Sequence, residues 1–243
     1  MPSAGCGKAA NQTLNQWVES MLTSGTGMRP YSVRLPSNYD PMRPYPVIVL
    51  LHGCSSGTNN VPMERQTGTN AILVRGTGSA ANVCWDTAAN GPDVAFFDAM
   101  AADTKARFCT DTSRLFVVGY SSGSWLTNQL TCIRGNVVRG AATVSGGESA
   151  RGTCTGRVAR IFIHDQNDND NVISGSERAR DRMLMQNGCD TAAAPVPQEP
   201  SPCVRYQGCA AGYPVVWCPT SGKGHDRQDS LAPAAFWNFF QEF

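Results

Sequence analysis

Charge is scarce in this 243-residue chain: Asp, Glu, Lys and Arg together make up 16 % of it, 20 basic residues against 19 acidic. No Lys/Arg run or basic stripe breaks that balance, so nothing is present to track a phosphate backbone and nucleic acid is not an expected partner. Long apolar runs are missing as well. The longest, Val47-Ile48-Val49-Leu50-Leu51, is strand-sized, far short of the roughly 18 residues a membrane-spanning helix needs. Met1-Pro2-Ser3 carries neither the basic segment nor the apolar stretch of a secretory leader, and reads as a mature form with an added start methionine. There is no internal repeat, and only the Pro-rich stretch 192–202 reads as an irregular surface loop. Histidine is nearly absent, with three residues in all, which narrows any search for a general base. A chain of this length can bury a substantial core within one domain.

Cysteine, by contrast, is plentiful: Cys6, Cys54, Cys84, Cys109, Cys132, Cys154, Cys189, Cys203, Cys209 and Cys218. None of them forms the C-x-x-C pair of zinc ribbons and thioredoxin-like sites, so a metal is not expected. An even number at wide spacing favours disulfides, five if all pair, and therefore an oxidising, extracytoplasmic compartment. Ten cysteines allow hundreds of pairings, and spacing alone selects none.

Strand candidates fall at 31–35, 47–51, 71–75, 115–119, 140–144, 159–163 and 215–218, and helix candidates at 93–108, 122–133, 174–187 and 229–240. Near-continuous apolar strands alternating with amphipathic helices predict a mostly parallel sheet covered on both faces. Ligands of such sheets bind at the carboxyl ends of the strands.

One of those ends carries chemistry. Leu115-Phe116-Val117-Val118 runs into Gly119-Tyr120-Ser121-Ser122-Gly123, and the helical Trp125 to Leu130 follows. Strand, tight turn and helix around G-x-S-x-G describe a nucleophile elbow, with Ser121 lifted above the sheet and a helix N-terminus aimed at it. A serine hydroxyl needs a base, and the base needs a third group to orient it. His225, in the Gly-rich loop Ser221 to Asp226 before the last helix, stands where that base must hang. The acid should follow the strand at 159–163, where Asp165, Asp168 and Asp170 compete. Asp168 is favoured, since the loop needs a few residues to clear the strand; Asp170 is the nearer rival. Exchanging Asp165 or Asp170 is expected to cost far less. The alternating Asp and Asn do not make a calcium loop, because Asp170 and Ser176 stand where an EF-hand needs glycine and glutamate. The backbone amides of Cys54, after the strand 47–51, and of Ser122 are the expected oxyanion donors. His52 and His164 read as structural, and Trp85 and Trp125 are candidates for an aromatic wall in the cleft.

With these pieces the chain resembles the secreted feruloyl esterases and polyhydroxybutyrate-depolymerase-like esterases of the α/β-hydrolase superfamily. The resemblance runs through Arg29 to Pro36, Leu51 to Cys54, the elbow, His164 to Asp168, Gly224-His225 and Phe236 to Phe240. It implies one catalytic α/β-hydrolase domain over residues 1–243 and a Ser121–Asp168–His225 triad. It also implies hydrolysis of esters that join hydroxycinnamic or acetic acids to plant-wall polysaccharide, with no metal or organic cofactor. Asp165 departs from the pattern, since many relatives have glycine there. Polyester-degrading relatives often add a separate binding module, which is not expected here. The competing readings are an acetylxylan or short-chain polyester esterase and, from another class, a non-catalytic wall-binding protein on a hydrolase scaffold.

Overall fold

All seven residues of strand β3 (Tyr45–Leu51) are buried, and their side chains divide by parity. Val47, Val49 and Leu51 join one apolar cluster, Ile48 and Leu50 another, because successive Cβ atoms point to opposite faces of a sheet. A strand of this kind needs cover on both sides. On the first side lie helices α2 (Pro92–Arg107) and α3 (Ser122–Ile133), which bring Phe96, Phe97, Met100, Leu126 and Leu130. On the other lies helix α5 (Ala232–Phe240) with Phe236, Phe239 and Phe240, the last stacked on Phe116 at 4.4 Å. The structure, a computed structural model, describes residues 1–25, 27–148 and 150–243.

Around β3 run β4 (Ile72–Gly76), β5 (Thr110–Tyr120), β6 (Gly140–Val144), β7 (Ala159–Asp165) and β10 (Val215–Thr220). These six strands are parallel, in the order β4-β3-β5-β6-β7-β10. The chain places β4 on one side of β3 and β5 on the other, so a crevice opens at the carboxyl ends of β3 and β5, where the order reverses. Antiparallel ribbons flank this centre: β1 (Trp17–Ser24) with β2 (Gly27–Arg34) beyond β4, and β8 (Val196–Pro197) with β9 (Val204–Arg205) beyond β10. Helix α4 (Ile173–Asn187) packs Ala179, Met183 and Leu184 against Phe162, Val215 and Trp217. A single-turn helix, α1 (Glu64–Thr67), follows β3.

The parallel centre and both helical layers answer the sequence expectation. Three strands do not. β1 has only two buried positions, and β8 and β9 are two-residue strands inside or just after the stretch expected as loop. Edge ribbons facing water on one side lack the continuous apolar run by which buried strands are recognised. Helix α5 also starts three residues later than expected, with proline in its first turn, where the missing N–H costs nothing.

All ten cysteines are paired, as Cys6–Cys109, Cys54–Cys84, Cys132–Cys154, Cys189–Cys209 and Cys203–Cys218. Cys6–Cys109 spans 103 residues of sequence, and a loop of that size restrains the unfolded chain by about 4–5 kcal/mol in a chain-entropy account. The last two bridges pin the β8–β9 segment to the rim of the sheet. Denatured, unreduced protein should therefore show no titratable thiol, and reduction should lower the melting temperature by roughly 10–20 °C. A majority of free thiols in that titration would overturn the pairing.

Candidate active site

Ser121 sits between β5 and α3 with φ 52° and ψ −117°, a backbone conformation that costs a non-glycine residue on the order of 1–3 kcal/mol. Its neighbours explain how the chain closes over it. A Cβ on Gly119 would lie 2.4 Å from the Gly123 carbonyl oxygen, and one on Gly123 would lie 2.1 Å from the carbonyl oxygen of Leu51. Glycine at both positions lets the first turn of α3 rest directly on the ends of β3 and β5. The Ser121 amide donates to Val144 O at 3.1 Å, which ties the turn to β6.

The hydroxyl meets the imidazole expected for it. Ser121 Oγ is 3.0 Å from His225 Nε2, and His225 Nδ1 is 2.9 Å and 3.1 Å from the two oxygens of Asp168. Asp168 is buried, and its Oδ1 also accepts the amides of Asp170 at 3.0 Å and Asn171 at 2.8 Å. A carboxylate so engaged holds Nδ1–H toward itself and leaves Nε2 free to accept the serine proton. Asp170, the nearer rival, lies on the surface and presents its amide, not its carboxylate, to the site.

Asp165 has a structural place of its own. Its buried carboxylate accepts the amides of Asn167 (2.9 Å), Lys223 (3.0 Å) and Gly224 (3.0 Å) and the hydroxyl of Thr220 (3.0 Å). It clamps the base loop, immediately before His225, to the end of β7. Burial pushes its pKa up, but these four donors outweigh that effect and hold the carboxyl below the usual carboxylate range. The residue is not a bystander, because it acts on the base through the backbone it anchors.

The loop after β3 is equally constrained. Burial lowers the pKa of His52, against the Gly53 carbonyl and Asp93, which favour its charged form; the neutral ring accepts the Gly78 amide on Nε2 at 3.0 Å. Trp85 donates its indole N–H to His52 O at 2.9 Å, with its ring 4.8 Å from the imidazole. It is 3 % exposed, so it braces this loop from beneath and does not line a cleft. An indole reaches burial most readily when its N–H finds such a carbonyl. The Cys54–Cys84 bridge ties the same loop to residue 84, and beside it the Ser55 amide donates to Asn82 O at 2.8 Å, both of these residues having left-handed φ (71° and 55°). A Cβ on Gly53 would lie 3.3 Å from Ser121 Cβ, which places the loop against the nucleophile. Among the described residues neither the Cys54 nor the Ser122 amide has an acceptor. Trp125, half-buried in the first turn of α3, donates to Asn171 Oδ1 at 2.9 Å and so holds the acid loop.

Two of these features escaped the sequence reading. The Asp165 clamp joins residues 55 to 59 positions apart, and Ser145, whose Oγ donates to Asp226 O at 2.7 Å, braces the base loop from the end of β6. Among the described residues no group of three or more His, Cys, Asp or Glu is placed to hold a metal ion. No helix among them is long and apolar enough to cross a membrane.

A doubly covered parallel sheet, a strained serine between β5 and α3, and acid and base following in chain order define an esterase of the α/β-hydrolase fold. Over 272 aligned residues the chain is 32 % identical to feruloyl esterase D of Neurospora crassa, spanning all of this chain and 91 % of that protein. It is 32 % identical to a probable feruloyl esterase C of Aspergillus niger over 98 % of this chain and 90 % of that one. The chain belongs to the feruloyl esterase family. An acetyl xylan esterase from Aspergillus awamori shares its fold, with a TM-score of 0.72 at 16 % identity over 91 % of this chain and 99 % of that one. No family model matches the chain.

Substitutions separate the three aspartates. Asp168→Asn should keep the fold and cut turnover steeply, by analogy with about 10⁴-fold for the same change in a serine protease triad. Asp170→Asn should be nearly silent. Asp165→Asn should cost about 1–3 kcal/mol of stability, since the new NH2 would confront two N–H donors or a donor and a hydroxyl. The depressed carboxyl stabilises the fold fully above the ordinary carboxylate range and loses that contribution as pH falls through its folded value. Asp165→Asn should thus flatten the stability profile below about pH 4. Thermal melts from pH 2 to 7 check this, and an unchanged profile would refute the clamp.

Proposed function

We propose that the chain, as one catalytic domain, is an extracellular serine esterase that releases ferulic and related hydroxycinnamic acids from plant cell-wall polysaccharide. The observation that carries the reading is the continuous hydrogen-bonded line from Ser121 through His225 to Asp168, in a chain whose curated relatives are feruloyl esterases. His225 takes the Ser121 proton as Oγ attacks the ester carbonyl, and Asp168 stabilises the imidazolium. The Cys54 and Ser122 amides receive the oxyanion. Collapse of the tetrahedral adduct expels the sugar alcohol, which takes its proton from His225. Water then attacks the acyl-enzyme by the same route and frees the acid. No residue role in this cycle calls for a metal or an organic cofactor. Trp125, partly exposed and three residues past Ser122, is the side chain we assign to the wall against the aromatic acyl group. Five disulfides suit a protein working outside the cell.

Two measurements test this. An organophosphonate should label Ser121 stoichiometrically, and Ser121→Ala should abolish both labelling and hydrolysis; undiminished hydrolysis in that variant would remove the nucleophile assignment. Across methyl ferulate, acetylated xylan and polyhydroxybutyrate, kcat/KM should be at least about 10-fold higher for the ferulate. Preference for either of the others would leave the serine mechanism standing and displace the substrate.

A further inference from the structure

His164, near the end of β7, is fully buried and takes no part in the cycle above. Its Nδ1 lies 2.6 Å from Ser176 Oγ, which in turn lies 2.5 Å from the carbonyl oxygen of Gly146. Its Nε2 lies 2.7 Å from the carbonyl oxygen of Asn171 and 3.3 Å from Asp168 Oδ2. Both ends of this chain of contacts are carbonyls, which only accept. The neutral ring with hydrogen on Nδ1 would aim a lone pair at both the Asn171 carbonyl and the Asp168 carboxylate. The other tautomer aims Nε2–H at them and leaves only the Gly146 contact unfilled. The cation fills every contact. In each acceptable state, therefore, Nε2 carries the hydrogen.

We propose that His164 is a positioning residue for ester hydrolysis: its Nε2–H, donated to Asn171 O and standing within 3.3 Å of Asp168 Oδ2, backs the triad acid and sets how strongly that acid pulls on His225. The Asp168 carboxylate thus stands between two imidazoles, one outward and reactive, the other buried and fixed to α4 through Ser176. Burial lowers the pKa of His164; the Asn171 carbonyl, Asp168 and Asp165 favour its charged form, and His225 opposes it. The proposal does not depend on which charge state prevails, because the Nε2 hydrogen is common to both. It rests on the assignment of Asp168 as the acid.

A pair of substitutions isolates the Nε2 hydrogen. The amide nitrogen of glutamine can reach the place of Nε2, whereas that of asparagine reaches only the place of Nδ1. His164→Asn should lower kcat by about 10- to 100-fold, the range seen when the partner orienting a functional group is lost, with KM within about twofold. With one donor withdrawn, the carboxylate binds His225 more strongly, so the acidic limb of the kcat/KM profile should move to higher pH. His164→Gln should recover most of the rate and return the limb. An unmoved limb in a folded His164→Asn, or equal losses in the two variants, would overturn the proposal. Should His164→Asn fail to fold, imidazole ¹⁵N NMR on the parent protein decides: Nε2 protonated supports it, a neutral ring protonated on Nδ1 defeats it. Asp168→Asn, run alongside, keeps the two ideas apart. If that change is nearly silent the triad assignment itself has failed, whereas a crippled Asp168→Asn with a normal His164→Asn removes only this inference.

Discussion

A carboxylate taken out of water is costly unless its oxygens are filled, and the carboxyl end of β7 buries two of them within four residues. Asp165 and Asp168 are both buried, and backbone amides do most of the filling: Asn167, Lys223 and Gly224 for the first, Asp170 and Asn171 for the second. Because the amides come from two different loops, satisfying the charges also fixes the loops. The base loop after β10 cannot drift without stripping Asp165 of partners. The acid loop cannot unwind without doing the same to Asp168. His225 is held at hydrogen-bonding distance from Ser121 by this requirement more than by contacts of its own ring.

The elbow obeys a different constraint, steric rather than electrostatic. Ser121 pays a backbone penalty that Gly119 and Gly123 make tolerable by letting β5, α3 and the end of β3 touch through backbone. That same contact brings the loop after β3 against the nucleophile, so the oxyanion donors need no movement to reach the reacting carbonyl. Donors held in place by the backbone require little reorganisation as charge develops, which is where most electrostatic catalysis originates. Rigid placement of donors and base thus comes from two independent devices meeting at one serine.

The triad was legible in the sequence because its signals are local. Gly119 to Gly123 names the turn, histidine is too rare to leave many choices for the base, and the acid must follow a strand between the two. Asp168 could be preferred over Asp170 only from the length of loop needed to clear β7, and its hydrogen bonds to His225 accord with that reasoning. What could not be read involves partners far apart in the chain. Asp165 looked like a residue that failed to reach the base, because two of the three amides it collects, those of Lys223 and Gly224, lie beyond residue 220. Trp85 looked available for a cleft, because nothing in its neighbourhood in sequence announces that its indole N–H ends on His52 O. The β1 and β8–β9 ribbons were missed for a third reason, which is that a half-wet edge strand carries no continuous apolar run.

The same division explains what aspartate does at position 165. At the end of β7 glycine would leave the amides of Lys223 and Gly224 without that acceptor, and the base loop would have to find its shape elsewhere. Aspartate accepts both, together with Thr220 on the neighbouring strand, so the loop is set by a residue next to His164. His164, in turn, touches Asp168. Three contacts therefore hang on one strand end: Asp165 with the loop before His225, His164 beside Asp168, and Asp168 with the His225 ring. The strand itself is buried on both faces, with Phe162 against α4 and Ile161 and Ile163 toward α5. Packing that holds β7 in register therefore bears on the distances at the site, and a core substitution at Ile163 would reach Ser121 both through the groups at this strand end and through Val144, which pairs with Ile163 and accepts the Ser121 amide.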